Sequence, residues 1–456
     1  MIPAFSGRAA SVLLVVLVAA CAGPPPAAPA WTGPAAGCPS SAVRPPPVPV
    51  AAGDVRGHDY DGDGRADLAA GLPGAGRVEI RYGSANGIAA GRRQVVTGPG
   101  GRFGRATATG DLDGDGRADL VVAGSGRTAG LTVVLGGRGG LSDRQVTLPA
   151  VPGGPAGHAL ATGDFDRDGD DDLAVTGAGA TVWVAGGGAG VRAGRATWRP
   201  VLRRGAAVAV GPLAAGDVTG DGFADLAVTY SADDPADEGT GVVYRGSPAG
   251  PAGRIRGTFP GWDVADVAIA DLDGDGHGDV VAGIPWGHSG DPAGRVTVSR
   301  GSPGGLRPAE PIGPGSAGMP AGPPGVGRFG AALATGDLDA DGYADVAVGA
   351  PDTPGAVYVL RGGPGGLAAC RARALDAMAA RLPGASTGGF AVDLAFTGEG
   401  ATAGLAVTSL TTTASGLAAG LTLLTAGEPI RSTEIAAEHL PARDGEVGFV
   451  LDRPGR

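Results

Sequence analysis

Apolar residues in this chain come in short runs bounded by glycine or aspartate, and the runs recur on a nearly fixed period. Leu120-Val-Val-Ala, Leu173-Ala-Val-Thr, Leu226-Ala-Val-Thr and Val346-Ala-Val-Gly each leave an acidic stretch. Runs this short, flanked by turn residues, predict buried strands rather than helices. A second run with partial alternation follows each, ending in glycine: Val78-Glu-Ile-Arg-Tyr-Gly, Leu131-Thr-Val-Val-Leu-Gly, Val357-Tyr-Val-Leu-Arg-Gly. A strand such as Arg105-Ala-Thr-Ala-Thr-Gly110 enters the acidic stretch, and a weaker fourth, such as Gln94-Val-Val-Thr or Gln145-Val-Thr-Leu, closes the unit. Four short strands joined by tight turns make one twisted antiparallel sheet.

The acidic stretches begin at Asp59, Asp111, Asp164, Asp217, Asp271 and Asp337, with a degenerate seventh start near Asp393. Successive starts are 52, 53, 53, 54, 66 and 56 residues apart. That is the period of a propeller blade. The expected fold is therefore all-β: a seven-bladed β-propeller of four-stranded antiparallel blades with calcium-binding loops, spanning 48–456. Two smaller β domains would be the alternative, but the even period without a linker after residue 50 argues against them. Two inserts break the period. Tyr230-Ser-Ala-Asp-Asp-Pro-Ala-Asp-Glu238 and Pro285-Trp-Gly-His-Ser-Gly-Asp-Pro292 both fall between a second and a third strand, and a Pro/Gly-rich stretch follows over 307–327.

The acidic stretches carry the candidate chemistry. In Asp111-Leu-Asp113-Gly-Asp115-Gly-Arg117-Ala-Asp119, carboxylates at positions one, three, five and nine converge if the backbone curls, with glycine at six allowing the turn. The position-seven carbonyl, here of Arg117, would complete an oxygen shell of the kind Ca2+ prefers. The same register gives Asp59, Asp61, Asp63, Arg65 and Asp67; Asp164, Asp166, Asp168, Asp170 and Asp172; Asp271, Asp273, Asp275, His277 and Asp279; and Asp337, Asp339, Asp341, Tyr343 and Asp345. In Asp217, Thr219, Asp221, Phe223 and Asp225 a threonine replaces one carboxylate, so that site should be weakest. Up to six Ca2+ are expected. An EF-hand would need a glutamate at position twelve, where the chain has Ala70, Val122, Val175, Val228, Ala282 and Val348. Zinc would favour His or Cys donors that these loops lack. Four clustered aspartates without a cation repel one another, which makes plain Asp/Gly turns a poor account of six copies. The seventh stretch, Asp393-Leu-Ala-Phe-Thr-Gly-Glu-Gly-Ala, has lost the ladder and should be metal-free.

These loops are followed by Gly-x-Pro (Gly71-Leu-Pro73, Gly283-Ile-Pro285, Gly349-Ala-Pro351), and Phe-Gly pairs stand before two of them (Phe103-Gly104, Phe329-Gly330). The pattern resembles the FG-GAP repeat, the blade unit of the integrin α-chain N-terminal propeller and of related bacterial surface proteins. The resemblance covers roughly residues 50 to 430. It implies seven blades, calcium between the first and second strands of a blade, and ligand binding on the opposite face. The chain departs from an integrin α chain in having more intact calcium loops, and integrin function is not implied.

Composition adds an address. The chain has 89 glycines and 38 prolines, as a turn-dense fold requires, and no lysine among its 35 basic residues. Schiff-base lysine chemistry and a Walker phosphate loop are therefore excluded. A formal charge of −11 with no basic stripe argues against nucleic acid. The loop ligands make up half of the 46 acidic residues, so the acidity belongs to the loops. Near the N-terminus an apolar run over 11–20 has the length of a signal-peptide core. It ends Leu17-Val-Ala-Ala-Cys21, which resembles the bacterial lipobox, whose cysteine is lipidated. Residues 1–21 thus read as a lipoprotein signal peptide and 22–47 as a Pro/Ala/Gly-rich tether. The two other cysteines, Cys38 and Cys370, are candidates for a disulfide in an exported protein; two unpaired thiols are the alternative.

No catalytic residues are assigned. His288 stands near Trp286 and Asp291 in an insert, but no Gly-x-Ser-x-Gly elbow accompanies it. The inserts nominate a ligand face of Tyr230, Asp233, Asp234, Asp237, Glu238, Trp286 and His288. The expected protein is a monomeric calcium-binding propeller, exported and lipid-anchored at a bacterial cell surface, or else secreted. It would touch the membrane only through its N-terminal anchor and act as a binding or adhesion module for a protein or glycan. An exported enzyme of polysaccharide or phospholipid chemistry, or a structural envelope protein, is the alternative.

Overall fold

The computed structural model describes residues between 59 and 451, apart from short internal segments such as 233–239, 287–292, 398–403 and 441–449. The signal peptide, the tether, Cys21, Cys38, Asp233, Asp234, Asp237, Glu238 and His288 lie outside the described residues. Within them the strands form seven four-stranded antiparallel sheets, as the period predicts.

Burial explains the hydrophobic pattern. Second strands are buried on both faces, as at Leu68–Leu72, Asp119–Ala123 and Asp345–Ala350. Outermost strands such as Gln145–Thr147 bury only alternate residues. A radial stack puts neighbours on both sides of the inner strands, which is why they read as continuous apolar runs. The core is accordingly divided into layers between blades. One layer joins Ala270, Val281 and Val296 of the fifth blade to Leu333, Val348 and Tyr358 of the sixth. Another joins Leu68, Ala70 and Leu72 of the first blade to Ala395, Ala406 and Leu421 of the seventh. That last layer closes the ring.

Closure also uses strand pairing between the two ends of the propeller. The first blade contains Leu68–Leu72, Arg77–Arg81 and Arg93–Thr97, and its innermost place is filled by Val450–Leu451 from the C-terminal end. Leu451 pairs with Ala70 and Val450 with Gly71. The uniform repeat order assigns that place to a strand before Asp59; it is taken instead by the far end of the chain.

The Phe-Gly and Gly-x-Pro pairs find their reason at the blade interfaces. Phe103 and Phe329 are fully buried, and Phe329 meets Tyr358 edge-on with ring centroids 5.0 Å apart. The glycine after each phenylalanine has positive φ, +90° at Gly104 and +95° at Gly330. Its carbonyl lies against the Gly-x-Pro glycine of the preceding blade, so a Cβ at Gly71 or Gly283 would run into it. The seventh blade repeats this with Phe390-Ala391: Phe390 is fully buried, Ala391 has φ +61°, and its carbonyl faces Gly349. That blade's first strand is Phe390–Thr397, so Asp393 lies within a strand and does not open a loop. The degenerate start at Asp393 is corrected accordingly; the corresponding loop, 398–403, lies outside the described residues.

Candidate metal centre

Five of the six acidic loops connect a first to a second strand, and the sixth, at Asp59, leads into the second strand of the first blade, Leu68–Leu72. In each, the position-one aspartate folds the loop around itself. Asp111 Oδ1 accepts the Asp115 N–H at 3.0 Å and Oδ2 the Gly116 N–H at 2.8 Å. Asp59, Asp164, Asp217, Asp271 and Asp337 accept the equivalent pairs. Position four has φ between +57° and +74° in all six, including Arg167 and Ala340, which occupy it without being glycine.

Position nine does something the sequence pattern did not reveal. Asp119 Oδ1 accepts the Gly136 N–H, from the turn after the third strand, at 2.7 Å, while Oδ2 accepts the Leu112 N–H. The same tie joins Asp67 to Gly83, Asp172 to Gly187, Asp225 to Gly246, Asp279 to Gly301 and Asp345 to Gly362. These aspartates are almost completely buried. Burial pushes their carboxyl pKa up, to about 8 at Asp119, about 7 at Asp67, Asp172 and Asp279, and about 6 at Asp225 and Asp345. Backbone N–H bonds oppose that rise, and the other loop aspartates add to it.

Position two was also missed, although its signal is plain: Tyr60, Leu112, Phe165, Val218, Leu272 and Leu338 are all apolar or aromatic and all buried. Four of their carbonyls bond to the next blade: Tyr60 O accepts from the Gly137 N–H, Leu112 O from Gly188, Phe165 O from Ser247 and Leu272 O from Gly363. Position-one carbonyls do likewise, Asp59 accepting from Ala118, Asp111 from Asp171, Asp164 from Ala224, Asp217 from Gly278 and Asp271 from Ala344. The loops thus form a hydrogen-bonded belt.

Position-seven side chains extend the belt sideways. Arg117 covers Gly62 of the preceding loop, Asp170 covers Gly114, His277 covers Gly220 and Tyr343 covers Gly274. Arg65 and Arg117 also pair with Asp63 and Asp115, each at 2.9 Å.

Three carboxylates converge in five of the loops, one oxygen from each lying within 4.8 Å of the others. They are Asp59, Asp61 and Asp67; Asp111, Asp113 and Asp115; Asp164, Asp166 and Asp168; Asp271, Asp273 and Asp275; and Asp337, Asp339 and Asp345. The Asp217 loop, with Thr219 at position three, supplies no such trio among the described residues. Oδ1 of Asp113, Asp166 and Asp273 is buried with no hydrogen-bond partner, as is Oδ2 of Asp279. A buried, unpaired carboxylate oxygen is costly, and a hard divalent cation held by oxygen ligands would satisfy it. The donor set fits such an ion.

Of the nominated ligand-face residues, Trp286 and Tyr230 are described. Trp286 follows the second strand Asp279–Ile284, at the end of its blade away from the acidic loop, and is 53% exposed. Tyr230 is not part of an exposed face: it is 4% exposed and belongs to the buried layer between the third and fourth blades. Its strand continues through Ala232, so the apparent start of that insert is sheet. Cys370, in a 3-10 turn at Ala369–Arg371, is disulfide-bonded.

A family model described as FG-GAP-like repeat matches residues 59–122 and 111–175, and one described as FG-GAP repeat matches 264–299 and 329–360. The chain is an integrin-like FG-GAP propeller. This propeller is similar to integrin alpha-6 of Gallus gallus, 37% identical over 118 residues, which are 24% of the chain and 10% of that protein. It is similar to integrin alpha-PS2 of Drosophila melanogaster, 30% identical over 203 residues, 43% of the chain and 12% of that protein. It also matches phosphatidylinositol-glycan-specific phospholipase D of Rattus norvegicus, 41% identical over 112 residues, 22% of the chain and 13% of that protein. The FG-GAP propeller thus spans only 10% to 13% of these relatives' lengths. Among its described residues no helix is long and apolar enough to cross a membrane.

Proposed function

We propose that the propeller is a calcium-stabilised binding or adhesion module for a protein or glycan, engaged through the face opposite the acidic loops. The observation that carries this is the set of buried, unpartnered carboxylate oxygens of Asp113, Asp166 and Asp273, confined to one end of the ring. Position-one, -three, -five and -nine carboxylates would hold Ca2+, with the Asp217 loop weakest. The ion would supply charge neutralisation and stiffness rather than a reaction step. On this reading the exposed Trp286 belongs to the working face, with the adjoining insert residues 287–292. Export with lipidation at Cys21 supplies the calcium-rich surroundings, and a Cys38–Cys370 bond would pin the tether to the sixth blade. The partner is not a nucleic acid, and the protein works as a monomer.

A glycan array and a protein pull-down, each with and without EDTA, test the reading. Binding that disappears when 231–238 and 287–292 are deleted, while bound calcium is retained, is the expected result. Binding that survives the deletion sinks the assignment of the face.

The similarity to phosphatidylinositol-glycan-specific phospholipase D supports a second reading, in which the propeller serves an enzyme acting on such lipids. Incubation with a phosphatidylinositol-glycan-anchored protein decides it; no release of the anchored protein removes this reading.

A further inference from the structure

Three blades place an arginine directly before the glycine tied to the position-nine aspartate: Arg245, Arg300 and Arg361. The three guanidinium groups do different things. Arg245 pairs with Asp221 Oδ2 at 2.8 Å, and Arg300 touches Asp273 Oδ2 at 3.2 Å. Each meets one carboxylate, and Asp273 Oδ1 stays buried and unpartnered. In the sixth blade a single nitrogen, Arg361 Nη1, lies 2.6 Å from Asp345 Oδ2 and 3.1 Å from Asp339 Oδ2. It bridges positions three and nine, the carboxylates that a metal ion would otherwise join.

The hydrogen-bond account agrees. Among the described residues, buried carboxylate oxygens without a partner occur in the loops at Asp111, Asp164 and Asp271, and none occurs in the loops at Asp59, Asp217 and Asp337. Of these last three, only the Asp337 loop has an arginine nitrogen within hydrogen-bond distance of two of its carboxylates. The Arg361 side chain is only 15% exposed. A guanidinium is permanently charged and holds two carboxylates in fixed geometry. A divalent ion entering this loop would have to detach it from both and leave a mostly buried cation without its counter-charges, which is strongly unfavourable.

We propose that Arg361 is the resident cation of the sixth blade: its guanidinium takes the place of calcium in the Asp337 loop, which therefore folds without metal. The inference rests on the reading of the other loops as calcium sites. It makes the sixth blade a metal-independent clasp in an otherwise calcium-dependent ring. The chain then binds fewer ions than its acidic loops number.

The test counts bound Ca2+ on the full chain by elemental mass spectrometry after equilibrium dialysis, at a calcium concentration that saturates the wild-type protein. Arg361→Met should add one ion per chain. An unchanged count in a folded Arg361→Met chain overturns the proposal. If that variant does not fold, Asp337→Asn in the wild-type background decides. It should leave the count unchanged, whereas Asp111→Asn should lower it by one; loss of an ion on Asp337→Asn overturns the proposal. The underlying reading fails separately. A wild-type chain without calcium whose Arg361→Met variant gains an ion would remove the calcium assignment of the other loops and uphold that of Arg361; no ion in either removes both.

Discussion

The carboxylate of Asp119 ties the acidic loop of the second blade to the turn after its third strand, through a 2.7 Å bond from the Gly136 N–H. Asp119 therefore has two tasks, one of which does not depend on an ion. Asp119→Ala leaves the Gly136 N–H without its acceptor, at roughly 1–3 kcal/mol, while the Leu112 N–H keeps its bond to the Gly110 carbonyl. Thermal unfolding should show that loss in EDTA as well as in calcium. Asp113 takes only an exposed arginine, Arg192, as its side-chain partner, so Asp113→Asn should cost under about 1 kcal/mol in EDTA. It should cost clearly more in calcium. Equal penalties for the two variants in EDTA would refute the division of labour.

Calcium removal and pH should act with opposite signs. In the metal-free protein the six position-nine aspartates have carboxyl pKa values of about 6 to 8, against about 3.9 in an unfolded chain. The folded state thus holds more protons, and its stability falls as pH rises through that window. In EDTA the melting temperature should be higher near pH 5 than near pH 8. With saturating calcium the ionised carboxylates are the ones that bind, so the order should reverse, and calcium should raise the melting temperature most at pH 8. A melting temperature in EDTA that climbs from pH 5 to pH 8 would contradict the raised values.

Ring closure depends on the last strand. Deleting 446–456 removes the partners of Ala70 and Gly71 and exposes the edge of Leu68–Leu72. The melting temperature should drop by at least about 5 °C. An open edge also invites pairing between chains, so size-exclusion chromatography should show dimers or larger species. A truncated chain that stays monomeric with unchanged melting would show that closure rests on side-chain packing alone.

The blade interfaces set the tolerance for small changes. Ala391 occupies a left-handed backbone position, φ +61°, where the equivalent Gly104 and Gly330 pay no such penalty. Ala391→Gly should stabilise the protein by about 1 kcal/mol. Gly71→Ala should do the reverse, by about 1–3 kcal/mol, because its Cβ would strike the Gly104 carbonyl. Chemical denaturation of both variants checks the pair; destabilisation by Ala391→Gly would show that the Cβ contributes more packing than strain.

Much of this protein is local in its sequence. The alternation of acidic loop and short apolar run fixed the number of blades, and the oxygen-only loops fixed the kind of ion they suit. Both were legible because each is carried by residues within one repeat. Phe390-Ala391 escaped notice because an alanine replaced the glycine, while the backbone conformation that glycine normally marks persisted. Tyr230 lies in sheet rather than insert; a strand extended by three residues, Tyr230 to Ala232, cannot be told from the start of an insert by composition.

What the sequence by itself determined is the repeating unit: strand, acidic loop, strand, turn, strand, and the carboxylates available in each copy. What only the tertiary structure decided are relations between units. These are Val450–Leu451 completing the first blade, the position-nine aspartates reaching the third-strand turns, and Arg361 bridging Asp339 and Asp345. The physical reason is that burial and charge pairing are settled by distance in space. Three blades carry an arginine at the same place in the repeat, and only the packing around the sixth brings its guanidinium between two carboxylates.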